Sequence, residues 1–361
     1  MFKDKLIGKA LASADLQITI DRSRCMRMRF NNNECPVCTS NCHSGAITIG
    51  DDIVIDADKC SLCMVCVSEC PADCFDLKGG EFFGILARLR KMRDSVTWPV
   101  LGCKTDAGNE AHEKTTCLGA LSDEHLIALN VFMDRPVQLN LTACAQCKNS
   151  FVIDTLKDRI AGIKETTGID VSEKAVLIEN KADLRFDEVS YDRRGFFSAI
   201  KNLTLLGASE LFEKEEVDVI QAYSQKGMPL KRSILNKTIK TVMDKDVAAR
   251  VLKEYAFTIK ADATCDNCFS CVGMCPTGAL KSRSDESGAG LLFNPSMCIG
   301  CALCRDFCLN NSIFMMQGYS GEHYFDHYIC NKDSCMVDTP ENADCEDAID
   351  VVCCHGQKAV L

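Results

Sequence analysis

The chain has 361 residues with a hydrophobic fraction of 47%, enough for two or three domains with ordinary cores, so its 26 cysteines are not needed as disulfide staples. A formal net charge of -10, to which metal-bound thiolates would add, argues against nucleic acid as a partner. No run of about 18 consecutive apolar residues occurs, so no segment carries the signature of a membrane-spanning helix.

Met1 to Leu16 carries Lys3, Lys5 and Lys9 but is broken by Asp4 and Gly8, and reads as a short amphipathic segment without a signal-peptide pattern. The first cysteines follow: Cys25, Cys35, Cys38 and Cys42, then Cys60, Cys63, Cys66 and Cys70-Pro71. The second group has the spacing C-x2-C-x2-C-x3-C; in the first, nine residues separate Cys25 from Cys35, and His43 stands where a proline follows the other run. Between the groups, Ala46 to Asp56 reads as two short strands joined at Asp51-Asp52. Cys74 falls where the other runs place Ala46, Ala279 and Ser312, which points to a small packing residue and not a ligand.

Gly79-Gly80 closes this unit. Glu81 to Asp94 has helical spacing, Val96 to Leu101 reads as a strand, and a polar loop leads to Cys117 at the start of a helix. Helices over Ser122 to Asn130 and Phe151 to Thr167 alternate with strands over Val137 to Thr142 and Ala175 to Ile178, the pattern of a small parallel α/β sheet. Cys103, Cys117, Cys144 and Cys147, spaced C-x13-C-x26-C-x2-C, would then meet at the strand ends where such folds bind ligands. An iron-sulfur cluster, a structural zinc and exchanging thiols all remain open there.

Residues 184–258 hold no cysteine and read as a helical connector. Asp192 caps one helix through Leu203, Leu206 to Tyr223 forms a second, and Ser233 to Tyr255 a third after the break at Met228-Pro229. Two regular runs follow: Cys265, Cys268, Cys271 and Cys275-Pro276, then Cys298, Cys301, Cys304 and Cys308. The tail adds Cys330, Cys335, Cys345, Cys353 and Cys354 among acidic residues; a metal site on Cys330, Cys335, Cys345 and one of Cys353 or Cys354 is the preferred reading, with a disulfide pair open. Basic patches at Arg22 to Arg29, Arg88 to Arg93 and Lys226 to Lys240 are either solvated faces or steering surfaces for an acidic partner.

The paired runs resemble bacterial-type dicluster ferredoxins and polyferredoxins, in which each run's fourth cysteine crosses to the other run's [4Fe-4S] cluster. The resemblance implies four clusters, on Cys25, Cys35, Cys38 and Cys70; on Cys42, Cys60, Cys63 and Cys66; on Cys265, Cys268, Cys271 and Cys308; and on Cys275, Cys298, Cys301 and Cys304. If Cys25 lies too far away, a [3Fe-4S] centre on the remaining three is the alternative. The middle cysteines resemble those of α/β subunits in certain hydrogenase and heterodisulfide-reductase complexes and of thioredoxin-like [2Fe-2S] ferredoxins.

The expected fold class is α+β: ferredoxin-like dicluster units at 1–80 and 259–325 flank a thioredoxin- or flavodoxin-like α/β domain at 81–183 and the connector, with a cysteine-rich tail at 326–361. Cysteines in metal spacing imply a reducing, cytoplasmic setting. No nucleotide-binding glycine motif or P-loop is present. The expected function is a multi-cluster electron-transfer subunit, relaying electrons from a donor to the catalytic subunit of an anaerobic oxidoreductase. The alternatives are a reductase working through the middle-domain thiols and a reductive activator of another metalloenzyme.

Overall fold

The computed structural model describes residues 18–77, 82–92, 95–104, 110–187, 224–242, 244–285 and 288–330. The expected N-terminal segment, the first two connector helices and the tail beyond Cys330 lie outside them. Strand β1 (Ile18–Ile20) alternates isoleucine with threonine and pairs antiparallel with β4 (Phe75–Leu77), clasping the two ends of the first cysteine segment. Inside the clasp lie α1 (Met26–Arg29), α2 (Val37–Ser40), the hairpin β2 (Ile47–Ile49) and β3 (Ile53–Ile55), and α3 (Val65–Glu69).

Helix α4 (Phe82–Lys91) buries Phe82, Ile85, Leu86 and Leu89, the stripe that its spacing predicts. The sheet beyond it contains β5 (Val100–Cys103), β6 (Glu113–Thr115), β7 (Val137–Asn140) and β8 (Ala175–Ile178), all parallel in the order β6-β5-β7-β8. Strand β6 occupies part of what reads in the sequence as a loop. Helix α5 (Asp123–Phe132) begins at Ser122, whose N–H is accepted by His125 Nδ1 at 3.2 Å, and α6 (Val152–Thr167) stops at Gly168, in the left-handed conformation with φ 73.

The described part of the connector is not a free spacer. It forms α7 (Leu230–Val242) and α8 (Lys245–Tyr255), which pack on α5 and α6 respectively. Ile234, Leu235 and Ile239 join the core that holds Leu126, Ile127 and Leu129 and continues to Ile18 at one end and Ile299 and Tyr324 at the other.

The second cysteine segment repeats the plan of the first. Strand β9 (Phe257–Ala261) is clasped antiparallel by β12 (Ile313–Gln317), around α9 (Ser270–Met274), the hairpin β10 (Leu280–Asp285) and β11 (Gly288–Phe293), and α10 (Leu303–Asp306). Strand β13 (Tyr328–Ile329) extends the hairpin. A smaller core of Ile259, Leu280, Leu291, Phe293 and Ile313 fills this segment. The molecule is thus mixed α/β with several small sheets, and among the described residues no helix is long and apolar enough to cross a membrane.

Candidate metal centres

In each regular run the backbone turns left-handed at fixed places. The second residue after the first cysteine is Leu62, Asn267 or Gly300, with φ 58, 57 and 67, and the residue after the second cysteine is Met64, Phe269 or Ala302, with φ 62, 57 and 57. The third residue after every fourth cysteine is also left-handed: Gly45, Asp73, Gly278 and Asn311. Such conformations cost L-residues of order 1–3 kcal/mol each and persist where the surroundings impose them. Successive N–H groups in this geometry form concavities that receive anions, iron-sulfur centres among them. The donors are directed at sulfur: Ala46 N–H reaches Cys42 Sγ at 3.2 Å, Cys74 N–H reaches Cys70 Sγ at 3.4 Å and Ser312 N–H reaches Cys308 Sγ at 3.3 Å. At the remaining run Thr277 intervenes, its hydroxyl 3.6 Å from Cys275 Sγ.

Thiols of the same crossed set act on one another electrostatically. Burial, with the neighbouring thiols of Cys70, Cys35 and Cys25, pushes Cys38 up to about 12. Burial and then Cys63, Cys60 and Cys42 push Cys66 up. Burial raises Cys271 to about 11, with Cys265, Cys268 and Cys308 adding to it, and Cys304 is held high by burial and by Cys301, Cys298 and Cys275. Four neighbouring thiols, several of them buried, do not readily all ionise beside one another without a compensating cation, so the donor sets fit a cationic metal-sulfur core that displaces their protons.

Cys25 is brought to its set despite the long insertion. That insertion folds as α1 and then reaches the second cysteine segment, where Phe30 meets Phe307 edge-on at 5.3 Å and Asn33 Nδ2 donates to Asp306 Oδ2 at 3.3 Å. The hydrogen bond with Cys74 lowers Cys25 to about 6, against its burial. Cys74 is itself buried in the core, as a packing residue would be, and this contact also makes it a partner of a candidate ligand.

The four middle cysteines also converge. Cys103 ends β5, Cys117 follows β6, and Cys144 and Cys147 follow β7, all at the C-terminal edge of the sheet, where β5 and β7 flank the switch in strand order. Burial raises Cys117 to about 12, with the Gly119 N–H opposing and the Cys103, Cys63 and Cys144 thiols adding; Cys144 rises to about 11 through burial, Cys103 and Cys147. Cys117 precedes a single 3-10 turn, Leu118–Ala120, and not the α-helix that the sequence suggests, so no helix start favours its thiolate. Its Gly119 N–H donor lies two residues on, the place held by Leu62 for Cys60 and Gly300 for Cys298, and Asn149 N–H likewise meets Cys147 Sγ at 3.4 Å.

This edge of the sheet lies on the first cysteine segment. Asn149 Nδ2 donates to Ser61 O at 2.9 Å, His43 stacks on Phe151 at 3.8 Å, and a Cβ on Gly119 would collide with the carbonyl oxygen of Cys63. His43 thus serves the interface. Among the described residues no three His, Cys, Asp or Glu side chains close to the separation that a single ion needs, in the middle set or in the regular runs.

Cys330 is buried in the smaller core, its Sγ donating to Ile259 O at 3.5 Å; Cys335, Cys345, Cys353 and Cys354 lie outside the described residues. Much of the basic patches is engaged within the chain: Arg22 pairs with Asp52, Arg88 with Glu113 at 2.8 Å, and Lys226 donates to Val272 O. Sequence reading missed Lys231 and Arg232, which are buried beside the thiol sets and not part of a solvated face.

The 4Fe-4S binding domain family matches residues 53–76, the stretch from β3 through the regular run to β4, and so marks an iron-sulfur protein. A ferredoxin of Methanothermococcus thermolithotrophicus is 36% identical over 63 residues, which cover 17% of this chain and 97% of that ferredoxin. The chain belongs to the ferredoxin family, binding at least one [4Fe-4S] cluster for electron transfer. No solved structure matches it.

Proposed function

We propose that the chain is a five-centre electron relay within an anaerobic oxidoreductase complex, with four [4Fe-4S] clusters on the four crossed cysteine sets and a fifth iron-sulfur centre on Cys103, Cys117, Cys144 and Cys147. The observation that carries this reading is the adjacency of the sets within each segment and across the sheet edge. Cys117 is a neighbour of Cys63, Cys66 of Cys38, and Cys304 of Cys271, so each set adjoins the next within both segments and across the sheet edge. Iron-sulfur clusters supply one-electron chemistry at potentials that their surroundings set. The chain's residues hold them in sequence, direct N–H groups at the sulfurs and exclude water with Met64, Val65 and Leu303, all buried.

The Gly119 and Asn149 N–H donors, each two residues past its cysteine as Leu62 and Gly300 are in the regular runs, support an iron-sulfur centre over zinc. The raised Cys117 and Cys144 thiols lack the depressed pKa of exchanging cysteines, which weighs against a thiol reductase. A donor at one end and a catalytic subunit at the other are the partners that the relay needs. Iron and sulfide counting on anaerobically purified protein tests the reading. About 16 irons fill the four cubanes and about 18 to 20 add the fifth centre. Cys103→Ser with Cys147→Ser should remove only the excess over 16, and a count unaffected by that pair refutes the fifth centre.

A further inference from the structure

Lys231 and Arg232 are consecutive in the first turn of α7, 5% and 8% exposed, and they face different thiol sets. Lys231 Nζ donates to the carbonyls of Val67 at 3.1 Å, Ser68 at 2.8 Å and Cys70, the last turn of α3. Asp73 Oδ1 stands 3.3 Å from Nζ, and Asp73 Oδ2 accepts the Lys231 backbone N–H at 3.0 Å. At Cys70 the attraction of Lys231 outweighs the opposing charge of Asp73. Arg232 points the other way. Its Nη2 donates to Tyr255 O at 2.7 Å, while Nη1 is buried with no hydrogen-bond partner among the described residues. Burial raises the Cys298 thiol and the Tyr324 phenol, and Arg232 opposes both, at Tyr324 also through a side-chain hydrogen bond. A guanidinium buried with no carboxylate partner among the described residues is costly, and an anionic metal-thiolate centre on the nearby Cys298 set would offset that cost.

We propose that Lys231 and Arg232 form a cationic bridge that joins the two halves of the relay: Lys231 raises the reduction potential of the cluster on Cys25, Cys35, Cys38 and Cys70, and Arg232 that of the cluster on Cys275, Cys298, Cys301 and Cys304. The inference rests on the ligand sets proposed above. A positive charge near a cluster stabilises its reduced, more negative form. With both facing clusters raised together, one electron leaves one and enters the other, and no atom or proton is transferred. These are positioning residues, acting through charge. The two segments share no cysteine run, so the crossing between them depends on what α7 and the Phe30–Asn33 insertion place at the junction.

The experiment is an anaerobic redox titration of the holoprotein followed by electron paramagnetic resonance, with iron counted in each sample. Lys231→Met should lower the midpoint of one cluster signal and Arg232→Met that of a different one, with the other midpoints unchanged. The signal moved by Lys231→Met should vanish in Cys70→Ser, and the other in Cys298→Ser. Lys231→Arg and Arg232→Lys, which keep the charge, should restore wild-type midpoints. Full iron with unmoved midpoints in both methionine variants overturns the bridge. So does loss of a cluster in Lys231→Met that leaves the midpoint of Lys231→Gln, with its iron retained, at the wild-type value, because Lys231 would then only cap α3. A Cys70→Ser or Cys298→Ser protein that keeps every signal instead refutes the ligand sets themselves.

Discussion

Replacing Gly119 with alanine tests the seam between the sheet and the first cysteine segment. A Cβ there would penetrate the Cys63 carbonyl oxygen, with Val152 Cγ2 at 3.2 Å and Val65 Cγ2 at 3.4 Å closing the other sides. The obstacle is backbone, so the Cys117 loop or the Cys60–Cys63 turn must withdraw by of order an ångström to reach van der Waals separation. Overpacking of this kind costs about 1–3 kcal/mol. The cost is steric alone, because Gly119 is not among the left-handed glycines. Gly162→Ala in α6 is the matched control: nothing lies within 4 Å of its Cβ, and removing a helix glycine should stabilise by about 0.4–1 kcal/mol. The urea concentration at half-loss of cluster absorbance should fall for Gly119→Ala and hold or rise for Gly162→Ala. The centre on Cys103, Cys117, Cys144 and Cys147 should lose iron before the others. A Gly119→Ala protein with an unshifted midpoint and full iron would refute the close approach.

Cys74→Ala should retain wild-type iron at a cost of about 1 kcal/mol for the lost contact with Cys25, whereas Cys25→Ser should lower the iron count; equal iron loss in both would make Cys74 a ligand. Arg159 joins α6 to the first segment, donating to Leu121 O and Ser68 Oγ and pairing with Glu69, so Arg159→Met should cost roughly 3–5 kcal/mol, read as an earlier urea midpoint. His125 is lowered to about 3 by burial, opposed by Glu124. Unfolded chains therefore bind the extra proton below the ordinary histidine value, and wild-type stability should fall with pH between about 6.5 and 3, by up to about 1.4 kcal/mol per pH unit. Comparing urea midpoints at pH 7 and 5.5 should show a smaller drop in His125→Gln; an equal drop places the acid sensitivity elsewhere.

The cysteine runs were legible because they repeat at fixed intervals of one residue type, and a cysteine cannot be confused with the apolar residues around it. Strand β8 was legible as an apolar run, and β7 as an alternation of apolar with polar residues. Strand β6 was not: Glu113, Lys114 and Thr115 show no apolar alternation, and only pairing with β5 makes them a strand. The clasps β1 with β4 and β9 with β12 join residues far apart in sequence, which no local pattern announces. Leu62, Met64 and Phe269 are residue types that avoid left-handed backbone, so their conformation is imposed from outside. Lys231 and Arg232 read as part of a basic patch because composition does not distinguish a buried cation from a solvated one.

The repeated short helices would let a chain of small elements hold the proposed clusters in pairs. Helix α3 carries Cys66 of one set and delivers Cys70 to the other at its C-terminal end; α9 does the same with Cys271 and Cys275, and α10 is followed by Cys308 of one set after carrying Cys304 of the other. Within a segment, then, both proposed clusters would hang from the same short helix. Among the described residues no such shared helix spans the two segments or joins the sheet to the first of them. Those two seams rest on side-chain and backbone contacts: Gly119 and Asn149 at one, Phe30, Asn33, Lys231 and Arg232 at the other. Substitutions within a run should therefore abolish a cluster, while substitutions of Lys231 and Arg232 at the seam between the two segments should leave clusters in place and alter passage between them.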